Sequence, residues 1–116
     1  MSKKKQVRQA FRDAVFKRDG HKCRVCSFTS RDVRKQNELT ITGNSYLDAH
    51  HITDRNEMPN GGYVKENGIS LCPECHEKAE VFHSTGESVI GYAPNELYTL
   101  IGSSLQLARD VSDKLG

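Results

Sequence analysis

Two Cys-x-x-Cys turns, Cys23/Cys26 and Cys72/Cys75, constrain the fold more than anything else in the chain. Each such turn sets two sulfurs toward one metal by local geometry. Two turns supply the four soft, charged donors of a closed tetrahedral zinc site. The competing reading is a pair of redox-active dithiols, but no thioredoxin-like βαβ pattern surrounds either pair. Disulfides are the weaker alternative as well. The chain opens Met1-Ser2-Lys3-Lys4-Lys5 with no apolar run, so neither a signal peptide nor a membrane span is expected, and a reducing, cytoplasmic compartment follows. A staple is needed, because 116 residues that are 35% hydrophobic and lack Trp bury little apolar surface. The stretch from Cys26 to Cys72 exceeds ordinary zinc-ribbon spacing, so the cage has to close across an inserted ββ unit.

The periodicities fill in that unit. Val7, Ala10, Phe11, Ala14 and Val15 recur at helical spacing and predict a basic amphipathic helix over residues 6–19, stopped by Gly20, with residues 1–5 disordered. Thr40-Ile41-Thr42 reads as a short strand before a Gly43-Asn44 turn. Residues 46–52 alternate as a strand, 53–66 form a loop turning at Pro59-Asn60-Gly61-Gly62, and 68–71 form a second strand. A helix is expected over 76–83 and a linker over 84–93. Pro94-Asn95 then opens one C-terminal helix with the stripe Leu97, Leu100, Ile101, Ala108, Val111 and Leu115, running through Gly102 at a cost of roughly 1 kcal/mol.

Net charge is only +2, but it is unevenly divided. Residues 1–36 carry 12 Lys/Arg against 3 Asp/Glu, and residues 37–116 carry 5 against 12. That split suits a basic arm for a polyanion beside an acidic body able to hold cations. Candidate phosphate contacts are Lys3, Lys4, Lys5, Arg8, Arg12, Lys17, Arg18, Lys22 and Arg24. The plainer reading of the same residues is a solvated helix face with a lysine tail.

Between the two Cys turns stands the doublet His50-His51. Neighbours on a strand point to opposite faces, so the two rings cannot share one metal, but one can face a metal while the other faces substrate. Asp48 lies on the His50 side, as a further metal ligand or as a partner for the outer nitrogen of His50. His76 directly follows Cys75, Glu80 comes one helical turn later, and His83 is one turn beyond. His50, His76 and either Glu80 or His83 could meet at one ion. Singly, each is more ordinary: a surface histidine, an exposed helix carboxylate, a helix-end imidazole.

In combination these residues resemble the HNH endonuclease family, the ββα-metal nucleases, in its branch with a four-cysteine zinc site. The resemblance covers about residues 11–83. It rests on Phe11-Arg12-Asp13, Arg18-Asp19-Gly20, Cys23-Arg24-Val25-Cys26, Asp48-Ala49-His50-His51-Ile52, Asn67 and Leu71-Cys72-Pro73-Glu74-Cys75-His76. It implies an α+β fold: a small zinc-stabilised ββα-metal domain with flanking N- and C-terminal helices. The nuclease domain would occupy residues 1–83, and residues 84–116 would form a linker and C-terminal amphipathic helix.

The resemblance also implies roles. His50 and His76 would bind the catalytic metal, His51 would be the general base, and Asn67 would hold the geometry around it. Many members carry another histidine at the position of Glu80, which leaves the third ligand open between Glu80 and His83. A carboxylate there favours harder ions such as Mg²⁺ or Mn²⁺, with Ni²⁺ and Zn²⁺ as the other candidates. The expected activity is hydrolysis of DNA phosphodiester bonds to a 5′-phosphate and a 3′-hydroxyl. One motif makes one nick, so a double-strand cut implies a homodimer or two visits. Size alone suggests a phage-type protein, at work in a bacterial or phage-infected cell. The alternative is a non-catalytic zinc-knuckle module that binds nucleic acid.

Overall fold

The computed structural model describes residues 3–26 and 47–115. The expected strand at Thr40-Ile41-Thr42 and the Gly43-Asn44 turn lie outside them. Helix α1 spans Lys3–Arg18, so Lys3, Lys4 and Lys5 continue the helix instead of preceding it as a disordered arm. Lys, Gln, Arg and Ala all propagate a helix readily. Its buried residues are Phe11, Val15 and Phe16, whereas Val7 is 38% exposed. The apolar stripe therefore meets the body only in the helix's second half. Gly20 and His21, both with positive φ, then turn the chain into the first Cys pair.

Strands β1 (Asp48–His51) and β2 (Gly68–Leu71) pair antiparallel, with Asp48 opposite Leu71 and His51 opposite Gly68. All four β2 residues are buried, because α1 lies across the pair. Gly68 permits that approach: a Cβ there would stand 2.5 Å from Val15 Cγ2 and 2.7 Å from the Phe11 ring. Among the described residues β2 has no second strand partner, yet its outer edge is satisfied. The buried Asp19 carboxylate accepts from the Ser70 amide at 2.9 Å, and the Arg24 amide donates to the Ser70 carbonyl at 2.9 Å. An edge strand with its backbone groups paired this way offers no template for another chain.

Three short 3₁₀ turns, Arg55–Glu57, Pro59–Gly62 and Lys65–Asn67, occupy the expected loop. Helix α2 spans Pro73–Thr85, starting three residues earlier than the sequence pattern suggests. Pro73 takes the first helical position, where its missing N–H costs nothing, and Gly86 at φ 81 closes the far end.

The C-terminal helix is two helices, α3 (Pro94–Leu100) and α4 (Leu105–Asp113). Gly102 at φ 67 breaks the run, and the Ser104 side chain caps α4 by accepting from the Leu107 amide at 3.1 Å. Leu97, Tyr98 and Ala108 join the same core as Phe11, Ile52, Ile69 and Leu71, while Leu100 and Leu115 stay on the surface. The expected linker is also anchored, since Tyr92 is buried and its hydroxyl donates to Cys75 Sγ at 3.3 Å. Residues 84–113 thus share a core with the ββα unit.

Candidate functional site

Folding gathers Cys23, Cys26, Cys72 and Cys75 so that their sulfurs all lie within 4.8 Å of one another. The Cys26 and Cys72 sulfurs are 3.6 Å apart. Four sulfurs at about 2.3 Å from one tetrahedral ion stand about 3.8 Å apart, so the cluster fits a structural zinc site. Burial works to raise the Cys23 thiol, but hydrogen bonds from the backbone of Cys26, Cys72 and Val25 outweigh it and lower it toward the thiolate that a metal requires. The cage joins the end of α1 to the start of α2. It thereby sets the helix carrying His76, Glu80 and His83 against the strand carrying His50.

That docking brings His50, Glu80 and His83 together, with one ligand atom of each inside a 4.8 Å set. His50 Nδ1 is 3.1 Å from Glu80 Oε1. Donors about 2.1 Å from one ion stand about 3.0 Å apart at octahedral angles, so this pair has the spacing of two ligands of a single cation. Both candidates for the third position, Glu80 and His83, therefore stand beside His50. His76 also packs against His50, ring centroids 5.2 Å apart, with its Nε2 3.1 Å from Glu80 Oε1 and its Nδ1 3.1 Å from Asp48 Oδ2. Asp48 thus supports His76, not the outer nitrogen of His50.

The electrostatics keep the His50 ring in ligand form. Burial, followed by the nearby imidazoles of His76, His83 and His51, pushes His50 down to about 3, so it stays neutral. His83 Nε2 lies 3.1 Å from the His51 carbonyl oxygen. A carbonyl only accepts, so Nε2 carries a proton and Nδ1 is the nitrogen placed to meet a metal.

His51 points to the opposite face of β1, as strand alternation requires. It stacks on Phe11 with ring centroids 4.6 Å apart and meets the Tyr63 ring edge-on at 4.8 Å. Its Nε2 is buried without a hydrogen-bond partner among the described residues. Burial, then the charge of Arg55, lowers its pKa below the ordinary histidine value. His51 nevertheless borders the same cleft as His50, Glu80 and His83, a depression of about 310 Å³ that Arg55, Tyr63 and His76 also line.

Asn67 is fully buried and uses both ends of its amide. Oδ1 accepts from the Thr53 amide at 3.0 Å and the Tyr98 hydroxyl at 2.7 Å. Nδ2 donates to the carbonyls of Thr53 at 3.0 Å and Gly62 at 3.3 Å. These bonds span the loop that follows His51. Gly62 lets the loop come this close, since a Cβ there would stand 2.7 Å from Asn67 Nδ2.

The basic candidates divide. Lys4, Lys5, Arg8, Lys17 and Lys22 are exposed and Arg12 is half-buried. Arg18 and Arg24 are committed to the fold. Arg18 pairs with Asp19 at 2.7 Å and donates to the carbonyls of Lys65 and Gly68. Arg24 donates to the Leu100 carbonyl and lies 3.6 Å from Asp19. Both face a buried carboxylate that sequence patterning does not reveal.

Sequence reasoning passed over Phe11 as a support for His51, along with Arg55, Tyr63, Tyr98 and Ser112. Ser112 is fully buried and accepts from the Gly62 amide at 3.0 Å, while Asn60 Nδ2 donates to the Ser112 and Asp113 carbonyls at 3.1 Å. Helix α4 thereby grips the loop that carries Tyr63. The Gly61-Gly62 pair was the available signal, because backbone at positive φ invites close approach by another element.

A cysteine cluster with the spacing of a zinc cage clamps a hairpin to a helix in a small α+β fold, and imidazoles and a carboxylate converge beside it. The HNH endonuclease family profile matches residues 23–81, just over half of the chain, and the protein belongs to that family. Searches of curated proteins and of solved structures returned no match. Membership in that family points to a nuclease-type or nucleic-acid-related function. Among the described residues no helix is long and apolar enough to cross a membrane.

Proposed function

We propose that the chain is a metal-dependent endonuclease that hydrolyses DNA phosphodiester bonds, with His51 as general base. The observation that carries this reading is the buried, unpartnered Nε2 of His51, on a ring bordering the cleft that His50, Glu80 and His83 share. An unsatisfied buried nitrogen is costly, and it is accounted for when substrate or its attacking water supplies the partner.

His50, Glu80 and His83 would hold the divalent ion, with His76 beside Glu80 as a fourth candidate donor and Asp48 orienting His76. When bound, such an ion contributes positive charge to polarise the scissile phosphate and stabilise the leaving oxygen. The Glu80 oxygen suits harder ions such as Mg²⁺ or Mn²⁺ better than a third imidazole would, while the two imidazoles keep Ni²⁺ and Zn²⁺ as candidates. His51 accepts a proton from the attacking water as the water oxygen bonds to phosphorus. The bond to the 3′ oxygen breaks and that oxygen takes a proton from solvent, leaving a 5′-phosphate and a 3′-hydroxyl. Phe11 and Tyr63 fix the plane of the His51 ring, and Asn67 is the positioning residue that holds the loop after it. Lys3, Lys4, Lys5, Arg8, Arg12, Lys17 and Lys22 grip flanking phosphates without reading sequence. One such centre makes one nick, so a double-strand break requires a second copy of the chain or a second visit. Four cysteines kept free for a metal suit a reducing compartment.

The test is nicking of supercoiled plasmid with Mg²⁺, Mn²⁺, Ni²⁺ and Zn²⁺, with His51→Ala alongside. Wild type is expected to nick in at least one metal. His51→Ala is expected to lose nicking at least 100-fold while keeping its zinc and its circular dichroism. Binding without cutting in every metal would make the chain a non-catalytic zinc module, and an active His51→Ala would remove the base assignment.

A further inference from the structure

A second cleft, about 420 Å³, adjoins the histidine cleft and shares Arg55 and Tyr63 with it. Its remaining lining is Lys4, Val7, Arg8 and Asn60. Three cations from two separate segments converge there, and no carboxylate lines it. Lys4, Arg8 and Arg55 form no salt bridge among the described residues, in contrast to Arg18, Arg24 and Lys78, each of which lies beside a carboxylate. Asp54 acts on Arg55 from the neighbouring cleft, but no carboxylate lines this one, so its three cations leave a net positive field suited to an anionic ligand.

The cations have a common focus. Arg55 Nη1 donates to the Tyr63 hydroxyl at 3.4 Å. The Tyr63 phenol is lowered, first by that bond and also by Arg8, so both guanidiniums act on one oxygen. The same Tyr63 ring meets His51 edge-on at 4.8 Å, which ties this cluster to the ring that borders the histidine cleft. Guanidinium forks match the paired oxygens of a phosphate and keep their charge at any working pH. An exposed face of Val7 completes the wall, as suits the sugar and base of a nucleotide.

We propose that Arg8, Arg55 and the Tyr63 hydroxyl form a second phosphate subsite, which seats a phosphodiester flanking the one being cut, with Lys4 at its outer end. The proposal rests on the nuclease reading for the identity of the strand. The continuity of the two clefts favours a nucleic-acid backbone over a free anion. A phosphate held here would brace Tyr63 against His51, so substrate engagement would help position the base.

The test is binding of a fluorescein-labelled 20-base-pair duplex, by anisotropy, with no divalent ion added, across a salt series. The proteins are wild type, Arg8→Gln, Arg55→Gln, the double variant and Lys78→Gln as control. A single shared phosphate contact predicts that the double variant loses about 0.9 from the slope of log affinity against log salt. Lys78→Gln should leave the slope unchanged. Addition of inorganic phosphate at constant ionic strength should weaken the wild-type complex and leave the double variant unaffected. A loss near 1.8 in the double variant would mean two separate contacts and overturn the shared subsite, as would equal losses in Lys78→Gln. The readout needs no cleavage. A protein that never cuts but shows the predicted slopes would retain the subsite and lose the nuclease mechanism, and a cutting protein with unchanged slopes would do the reverse.

Discussion

Replacing Asn67 by Asp keeps the shape of a fully buried side chain and inverts half of its hydrogen bonding. The Oδ1 side survives, because either residue accepts from the Thr53 amide and the Tyr98 hydroxyl. The other side fails, because a carboxylate oxygen then faces the carbonyls of Thr53 and Gly62, which Nδ2 now reaches at 3.0 and 3.3 Å. Each buried acceptor left without a donor costs about 1–3 kcal/mol. With two such acceptors and a newly buried charge, the total is at least about 3 kcal/mol. Relaxation is blocked where Gly62 packs against the amide. At roughly 4 °C per kcal/mol for a domain of this size, Tm should fall by at least about 12 °C. Tyr98→Phe removes only the hydroxyl that bonds Asn67 and Thr53, each at 2.7 Å, and should cost about 1–2 kcal/mol. Urea unfolding at fixed free zinc reads both values. An Asn67→Asp protein within about 1 kcal/mol of wild type, or one more stable than Tyr98→Phe, would refute the view that this amide clamps the loop.

Cys26→Ser removes one of the four sulfurs at the exposed corner of the cage, so zinc content should drop below one per chain and the thermal transition should move down or vanish, as read by elemental analysis and calorimetry. Strong chelation of the wild type should give the same result. Glu80→Ala and His83→Ala should each weaken Mn²⁺ binding at least about 10-fold in calorimetric titrations without loss of structural zinc. His76→Ala should weaken it less, because its nitrogens are not in the close set formed by His50, Glu80 and His83.

The two Cys pairs and the His doublet made the centre of the fold legible, because ligand spacing and strand alternation are local rules. Strand β2 was read with its observed bounds for the same reason: four buried residues stood between a turn and a cysteine. Roles that depend on tertiary contact were not visible. Arg18 and Arg24 look like surface charges until Asp19 is seen buried between α1 and β2. Strand parity puts Asp48 on the His50 side, but the packing of α2 against β1 gives it His76 as partner. Gly102 was counted as a tolerated cost inside one helix. Ser104, an N-cap two residues on, makes the break there favourable. Tyr98 and Ser112 sit in a segment that carried no chemical motif, and only packing shows that they hold Asn67 and Gly62.

Two metals with two different donor sets is the claim from which the rest follows. Anomalous diffraction from crystals grown with Mn²⁺, recorded on both sides of the zinc and manganese edges, addresses it directly. The expected map has a zinc peak among the sulfurs of residues 23, 26, 72 and 75, and a manganese peak within ligand distance of His50, Glu80 and His83. A manganese peak elsewhere on the chain, or none at saturating Mn²⁺, would contradict it.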